Sequence, residues 1–443
     1  MIRSSLAEEP SWVAMTSPIT GVNPLHAYRC LDGAALFWAK PSSDESVAGF
    51  GAAHQLNASR RDPPFAVLDE LYALSRPERI TWLGDGDEQR PLGPWFGGFA
   101  FDQRRAATPL WKAFPSAQWL LPELLIWSRG KRTFATAFHG AQGGLREAEK
   151  MLRLRLAAVM NELRPSVRAP QRARRTLALT SDRSAWEKLV DRALSAIETG
   201  WLSKVVVARK ISAQSDVPFD LPDAIKGLCR MVPECTVFAL RGTDGATLLG
   251  ATPETLCRLE GRLLESEAIA GCAPRPSEAP LSPSDKEARE HRAVVEGIEQ
   301  ALQPLCAELL VDPTPGVLGL PHLRHLRTQI RGRLRPEVSL SRLVCALHPT
   351  PAVGGVPRDR AMQFLAENEC LDRGWYAAPI GWVGDNTAEL AVAIRSALIR
   401  GRQGDLFVGA GVVAGSTCEG EWLETEAKSL TLLEALGGCV GDR

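Results

Sequence analysis

The sequence has no excess of charge of either sign. Lysine plus arginine and aspartate plus glutamate each number 52, so the formal net charge of the 443 residues is zero. Proteins that bind nucleic acid normally carry a basic surplus, so this balance argues against a nucleic-acid partner. The chain also lacks an apolar run that approaches the length of a membrane span. Its first ten residues contain acidic side chains and no apolar core, so we expect no signal peptide and no membrane partner.

Cysteine pairs with the spacing of redox or metal motifs are missing too. The ten cysteines include no C-x-x-C pair, and none of their spacings fits a zinc site. Most of them lie in apolar or strand-like stretches, such as those around Cys257 and Cys345. A chain of this length can bury a core without disulfides. Free buried thiols in a reducing, cytoplasmic location are therefore the expected state.

Common nucleotide and hydrolase motifs are absent as well. Gly409 and Gly411 are separated by one residue, but the third glycine of a dinucleotide fingerprint is misplaced. No Lys-Ser or Lys-Thr pair follows to complete a P-loop. The chain also has no G-x-S-x-G elbow, which argues against a serine hydrolase of that type.

What the sequence does contain is a stretch near its end, 405–430, with several features of a ligand site. An apolar run, LFV, predicts a buried strand. The glycines that follow leave the backbone bare for the approach of a ligand; they are Gly409, Gly411 and Gly415. Glu421, Glu424 and Lys428 then recur at helical spacing and so share one face. This pattern suggests a metal and an anion held together, although a solvated salt-bridged face is the commoner use of such spacing.

A second pattern predicts an amphipathic helix over 284–310. Ser284 and Glu287 have the spacing of a capping box. The inward stripe consists of Val294, Val295, Ile298, Ala301, Leu302 and Leu305. One turn before Val294 stands Glu290, which therefore points inward, where an unpaired carboxylate is costly. Glu290 needs a cation or a hydrogen-bond donor.

Three further polar residues interrupt apolar segments. Lys204 begins the β-branched run 204–210, where it either guards an exposed edge or acts as a general base in a buried cleft. Glu254 follows a proline between two strand-like segments, as a turn residue in water or as a general acid in apolar surroundings. Arg395 lies within a predicted strand over 390–400, and its partner is either a structural carboxylate or that of a substrate.

Long helices interleaved with hairpin-like strand pairs favour an α+β fold over a doubly wound parallel sheet. An arginine-rich segment with two prolines, 164–175, is the clearest linker candidate. We therefore divide the chain into an N-terminal part, 1–170, and a catalytic part, 171–443, which together form one compact unit.

Taken in order from about Ser181 to Leu436, the motifs resemble those of the chorismate-utilising enzymes. The matching segments are KVVVAR (204–209), GATPETL (250–256), AGCAPR (270–275), KEAREH (286–291), HPTPAVGG (348–355), GWYAAPIGWV (374–383), AVAIRS (391–396) and the stretch that ends in EGEWLETEAK. WFGGFAFD (95–102) is similar to the corresponding segment of isochorismate synthases. The resemblance implies large, mainly antiparallel sheets packed together with helices on the outside.

The resemblance also implies a role for each candidate residue. Lys204 matches the general base that activates water to attack C2 of chorismate, and Glu254 matches the general acid that protonates the departing C4 hydroxyl. The implied Mg²⁺ ligands are Glu290, Glu424 and, directly or through water, Glu421. The positions that match substrate-carboxylate contacts are Gly271, Arg395, Gly409 and Lys428.

Within the family, the chain looks most like an Mg²⁺-dependent isochorismate synthase. Anthranilate synthases usually have glutamine at the position of Lys204, and aminodeoxychorismate synthases carry a nucleophilic lysine where this chain has Ala270. Salicylate synthase, which also eliminates pyruvate, is the nearest alternative, and a catalytically silent chorismate-binding homologue is another. Cys272 and Cys418 replace residues usual in the family.

Because water is the nucleophile, the resemblance implies a monomer without an amidotransferase subunit. The product would serve menaquinone or catechol siderophore synthesis.

Overall fold

A computed structural model describes residues 12–58, 61–83, 90–163, 176–274 and 285–438 of the protein. Three features used in the sequence predictions lie outside these ranges: the first ten residues, the linker candidate 164–175 and the N-cap Ser284. Among the described residues, no helix is both long enough and apolar enough to cross a membrane.

The helices are distributed along the whole described chain. Their bounds are α1 (Pro24–Cys30), α2 (Val67–Leu74), α3 (Leu145–Glu162), α4 (Arg183–Glu198), α5 (Leu221–Met231), α6 (Asp285–Leu302), α7 (Leu340–Leu347), α8 (Arg358–Asn368) and α9 (Cys418–Ala435).

The strands form two sheets. Those of the first sheet, in chain order, are β1 (Trp12–Ile19), β2 (Ala34–Lys40), β3 (Glu45–Phe50), β5 (Ile80–Leu83), β8 (Leu124–Arg129), β9 (Arg132–Gly140), β10 (Leu177–Thr180), β11 (Lys204–Ser215), β12 (Thr236–Arg241), β13 (Thr247–Thr252), β19 (Gly355–Val356), β22 (Ser396–Arg400) and β23 (Gln403–Val413). Those of the second sheet are β4 (His54–Ala58), β6 (Trp95–Phe99), β7 (Ala117–Leu121), β14 (Thr255–Glu260), β15 (Leu263–Pro274), β16 (Cys306–Val311), β17 (Gly316–Gly319), β18 (Leu323–Leu334), β20 (Pro379–Gly384) and β21 (Thr387–Val392).

Both sheets are mainly antiparallel, which confirms the predicted α+β class. In spatial order the first sheet runs β10-β11-β23-β22-β13-β12-β2-β3-β8-β9-β1-β5, with β19 beside β11. The second runs β16-β18-β15-β14-β21-β20-β6-β7-β4, with β17 beside β18. Among the described strands, the parallel pair is β1 with β5.

The first sheet is buried on both faces. On β2, Leu36 and Trp38 belong to the core between the sheets, whereas Phe37 and Ala39 belong to a second core. That second core also contains apolar residues of helices α1, α3, α5 and α9. A strand covered on both faces needs apolar residues at every position, which explains continuous runs such as the one after Lys204.

The helix predicted over 284–310 is too long at its C-terminal end. Helix α6 ends at Leu302, and residues from Cys306 onward form strand β16. Pro304 lacks a backbone N–H and clashes with the preceding turn, so the helix cannot continue through it. The predicted inward stripe is confirmed where the helix exists, because Val294 and Ile298 are buried in the core.

The strand predicted over 390–400 is wrong as a single element. The chain leaves β21 in the second sheet after Val392 and enters β22 in the first sheet at Ser396. Arg395 lies in this connection with a φ of 52°, a left-handed conformation that is uncommon for a residue with a side chain. Both strands are buried, so the apolar pattern continues across the break and gives no sign of it.

A second connection crosses between the sheets beside the first one. Pro253 and Glu254 link β13 in the first sheet to β14 in the second. The N–H of Val392 donates to the Glu254 carbonyl at 3.0 Å, and the N–H of Ala251 donates to the Arg395 carbonyl at 3.2 Å. The two connections are thus hydrogen-bonded to each other, which brings Glu254 and Arg395 to one place.

Both sheets contain strands from either side of residue 170. In the first sheet β12 pairs with β2, and in the second β20 pairs with β6. The division into parts 1–170 and 171–443 stays a prediction.

Candidate active site

A cavity of about 70 Å³ lies where the two connections cross between the sheets. Eight of the nine predicted site residues line it: Lys204, Glu254, Gly271, Glu290, Arg395, Gly409, Glu424 and Lys428. The ninth, Glu421, is not part of the lining. Residues that are far apart in the sequence therefore form a single site.

Lys204 lies in the interior of the first sheet and not at an exposed edge. As the first residue of β11, it pairs with Val413 of β23 on one side and with Val356 of β19 on the other. Its side chain is 1% exposed, and Nζ stands 3.0 Å from Oε1 of Glu290. Burial, the largest single influence, would raise the pKa of Glu290, but the charge and hydrogen bond of Lys204, with the charges of Lys428 and Lys286, together hold this pKa below its ordinary value.

Gly411 provides the space in which this ion pair lies. A Cβ at Gly411 would overlap Oε1 of Glu290 and would stand 3.0 Å from Cε of Lys204. Glycine is therefore needed at position 411 so that the side chains of Lys204 and Glu290 can pair.

Glu254 is a buried carboxyl group with little compensation for its charge. Burial, and next the negative charge of Glu267, raise the pKa of Glu254 from 4.5 to about 8. One hydrogen bond opposes this shift, since the Thr350 hydroxyl donates to Oε1 of Glu254 at 3.2 Å. At neutral pH the group is a carboxylic acid, which is the form that a general acid requires.

Arg395 is held by a histidine that the sequence reasoning missed. Its Nη2 lies 2.9 Å from Nε2 of His325, a buried residue of β18. An arginine can only donate, so Nε2 of His325 accepts and the ring is neutral. Burial, together with the charges of Arg395 and Lys428, holds the pKa of His325 well below its ordinary value. A hydrogen bond to the backbone of Gly271 also involves this ring.

Helix α9 supplies a positive and a negative side chain to the cavity, Lys428 and Glu424. Nζ of Lys428 stands 2.6 Å from Oε1 of Glu424 and donates to the carbonyl of Gly409 at 2.9 Å. Burial and the nearby charge of Glu290 raise the pKa of Glu424, while Lys428 opposes this shift. Burial, the largest single influence, would lower the pKa of Lys428, but the charge and hydrogen bond of Glu424, together with Cys272, raise this pKa. Two carboxylates, Glu290 and Glu424, thus repel each other across the cavity.

The donor set suits a hard divalent cation that the substrate helps to bind. In the part of the chain that the structure describes, no group of three or more His, Cys, Asp or Glu side chains forms a closed metal cage. Mg²⁺ is commonly bound by one or two carboxylates together with water and substrate oxygens, which is what Glu290 and Glu424 offer. Glu421 pairs with Lys286 at 2.5 Å, and its other oxygen is buried without a hydrogen-bond partner.

Sequence reasoning missed three side chains at this site: Thr350, Tyr376 and His325. Thr350 and Tyr376 stand inside segments already matched to the family, but the motifs do not say which side chains turn inward. The hydroxyl of Tyr376 lies close to Gly409, where a Cβ would be 3.0 Å from it. His325 is one of many polar residues in β18, whose sequence is LRHLRTQIRGRL, so no pattern marks it.

The two cysteine departures differ in position. Cys272 lines the cavity, and burial raises the pKa of its thiol to about 12, so it remains a weak donor. Cys418 lies outside the lining, with its sulphur 3.0 Å from Oδ1 of Asp191.

A Gly411→Ala variant should displace the Lys204–Glu290 pair while leaving the fold intact. The atoms that meet the new methyl group lie near the ends of flexible side chains, so the free energy of unfolding should change by less than about 1 kcal/mol, below the usual cost of overpacking. Urea denaturation measures that energy, and a crystal structure measures the distance from Nζ to Oε1.

Gly404→Ala in the same strand is the control, because its Cβ would meet a methyl of Ile399 at 3.1 Å, away from the cavity lining. An unchanged 3.0 Å ion pair in Gly411→Ala would contradict the role given to Gly411.

Comparison with known proteins identifies the family. A family model described as "Chorismate binding enzyme" matches residues 2–437. The salicylate biosynthesis isochorismate synthase of Pseudomonas aeruginosa is 32% identical, over 98% of this chain and 92% of that protein. Isochorismate synthase MenF of Bacillus subtilis is 31% identical, over 92% and 88%. The solved structure of MenF, the menaquinone-specific isochorismate synthase of Escherichia coli, has a TM-score of 0.76 at 27% identity and covers 97% of this chain and 95% of that one. As its motifs predicted, the chain belongs to the family of chorismate-binding enzymes.

Proposed function

We propose that this protein is an isochorismate synthase that adds water at C2 of chorismate and removes the C4 hydroxyl. The observation that carries the proposal is one cavity lined by both a buried lysine, Lys204, and a buried acid, Glu254, whose pKa is about 8. A binding protein has no need for such a pair. Ala270 lines the same cavity and offers no nucleophile, which favours water as the attacking group.

Lys204 is the proposed general base. Its amine takes a proton from the attacking water as the oxygen bonds to C2 of the ring, which requires the neutral form of the side chain. Val205 and its neighbours keep the strand around it apolar and buried, so bulk water does not reach the amine.

Glu254 is the proposed general acid on the leaving group. It donates its proton to the C4 oxygen, which departs as water while the ring double bonds shift. One water is consumed and one is released, so the reaction is an isomerisation. Thr350 holds the carboxyl in place and keeps its orientation fixed.

The cationic side chains and the glycines are proposed to bind the carboxylates of the substrate. Arg395 keeps a planar fork of donors, one of which is committed to His325. Lys428 lies at the end of the cavity near Gly409, and Gly271 forms a bulge in β15 with a φ of 71°. These groups favour a small dicarboxylate over a neutral ligand.

Glu290 and Glu424 are the proposed Mg²⁺ ligands, with Glu421 as a supporting carboxylate. Mg²⁺ bound there would neutralise a substrate carboxylate and remove the need for Lys204 to balance the charge of Glu290. The buried, unpartnered oxygen of Glu421 supports a cation close by.

The remaining features are carried over from the sequence as proposals. We infer a monomer that acts without an amidotransferase subunit, since water needs no ammonia channel. A cytoplasmic location fits the buried thiols of Cys235 and Cys257. The relatives' names include both menaquinone and salicylate biosynthesis, so the product would enter one of the routes that use isochorismate.

Purified protein incubated with chorismate and Mg²⁺ should form isochorismate, resolved by liquid chromatography. Lys204→Ala should lower kcat by about 10²–10⁴-fold, the usual contribution of general base catalysis. Lys210→Ala, on the same strand but outside the cavity, is the control.

Salicylate formed with equimolar pyruvate would instead indicate a salicylate synthase. Chorismate binding in a calorimeter without any conversion would indicate a silent homologue.

Ionisation of Glu254 should reduce both the activity and the stability of the protein at basic pH. Activity should fall as the pH rises through about 8, because the acid then loses its proton. Its pKa is raised in the folded state, so stability falls as the pH rises from about 4.5 to about 8. Glu254→Gln, which does not ionise, should lower kcat by about 10²–10⁴-fold yet unfold at a higher temperature than wild type at pH 8.5.

Glu260→Gln, an exposed residue of β14, is the control and should change neither property. A Glu254→Gln protein that loses stability at pH 8.5 would contradict the raised pKa.

Removal of divalent cations with EDTA should abolish turnover, and Mg²⁺ should restore it. Glu290→Gln and Glu424→Gln should each raise the Mg²⁺ concentration needed for half-maximal activity, since each removes one charged oxygen donor. Glu419→Gln, an exposed residue of the same helix, is the control. Full activity in EDTA would refute the metal assignment.

A further inference from the structure

A buried ion pair lies directly behind the wall of the cavity. Glu369 at the end of α8 and Arg373 are 3% and 4% exposed at their side chains. Nε of Arg373 donates to Oε1 of Glu369 at 2.6 Å, and Nη2 donates to Oε2 at 2.8 Å. Neither residue has a role in the proposed reaction.

The guanidinium also donates to two backbone carbonyls that belong to different elements. Nη2 of Arg373 donates to the Val206 carbonyl of β11 at 2.6 Å, and Nη1 donates to the Val353 carbonyl of the loop 348–354 at 2.8 Å. Glu369 completes the arrangement, because its Oε2 accepts the N–H of Ala208 at 2.8 Å. One ion pair therefore joins a strand to a loop.

One joined element carries the proposed base, and the other carries the hydrogen-bond partner of the proposed acid. Val206 follows the proposed base, Lys204, by two residues, and Val206 itself lines the cavity. On the loop, the N–H of Val353 donates to the Thr350 carbonyl at 3.1 Å, and the Thr350 hydroxyl holds Glu254. The ion pair thus connects the base to the hydrogen-bond partner of the acid.

A single arginine fork makes this connection possible. Its planar guanidinium directs several donors at fixed angles, whereas lysine offers one compact charge. The ring of Phe101 lies 4.4 Å from the guanidinium carbon and covers one of its faces. Burial would lower the pKa of Arg373, but Glu369 outweighs it and raises this pKa, so the fork keeps its charge.

We propose that Arg373, held by Glu369, is a positioning residue that fixes the distance between Lys204 and Glu254. It does not line the cavity, and it acts through the strand that carries the base and the loop that carries Thr350, the hydrogen-bond partner of the acid. This inference rests on the proposed function.

Arg373→Lys should lower kcat by about 10–100-fold with KM for chorismate within about twofold of wild type, because a displacement of about 1 Å is enough to cost this much. KM should stay near the wild-type value because the substitution does not change Arg395 and Lys428, the proposed contacts of the substrate carboxylates. Steady-state kinetics with chorismate and Mg²⁺ give both constants.

Asp405→Asn is a matched control for the loss of a buried ionic contact. Asp405 of β23 is 1% exposed and pairs with Lys210 of β11 at 3.1 Å. It lies opposite Ser212 of β11, which is eight residues from Lys204. It should lower the unfolding temperature and leave kcat unchanged. A kcat loss of equal size in Asp405→Asn would reduce Arg373 to an ordinary structural residue and overturn the proposal.

A double-mutant cycle with Thr350→Val tests the path through the loop. If Arg373 acts by placing Thr350, the kcat loss caused by Arg373→Lys should shrink when the Thr350 hydroxyl is already absent. Fully additive losses would overturn the proposed connection.

If Arg373→Lys does not fold, Phe101→Leu, which removes the ring packed against the guanidinium and so loosens the fork, should still lower kcat more than it raises KM. The opposite split would refute the proposal. A wild-type protein that forms no isochorismate would overturn the proposed function instead, whereas an active wild type with a fully active Arg373→Lys overturns this inference alone.

Discussion

The site depends on the balance of charge inside one small cavity. Its lining contains three cationic side chains, Lys204, Arg395 and Lys428, and three carboxyl groups, Glu254, Glu290 and Glu424. With Glu254 protonated, two carboxylates remain against three cations, which leaves one unbalanced positive charge. Unpaired charge is costly away from water, so a cavity of this kind is most stable with an anion bound. A ligand carboxylate supplies such a negative charge, which agrees with the proposed dicarboxylate substrate.

The fold makes this concentration of charge possible by moving two chain segments between sheets at the same point. Where a chain leaves a sheet, its backbone groups and side chains no longer alternate between two buried faces, so polar side chains can point into a gap. The connection at Glu254 and the connection at Arg395 are hydrogen-bonded to each other, so neither can shift alone. Burial of the apolar strands on both sides offsets the free energy that is needed to hold the two connections in place.

Sequence reasoning found the parts of the site that a local pattern determines. The inward stripe of a helix places Glu290 on its buried face, and the β-branched run after Lys204 leaves no alternative to a strand. The resemblance to family motifs then assigns distant segments to one site, although no sequence periodicity links them. The break at Arg395 could not be read, because buried strands on both sides continue the same apolar pattern. Pro304 was a readable signal, and it marks the true end of the helix predicted to reach 310.

The least predictable property is which buried carboxyl acts as an acid and which as a ligand. Glu254 and Glu290 are the same residue type in the same cavity, and only their neighbours separate them. Lys204 stands 3.0 Å from Glu290 and keeps it ionised. Glu254 instead faces the charge of Glu267, which Arg327 holds in place through a contact of 2.6 Å. Burial is the larger cause of the raised pKa of Glu254, and the charge of Glu267 on β15 adds to it. A substitution at Glu267 would therefore lower the pKa of the acid without changing a residue that lines the cavity.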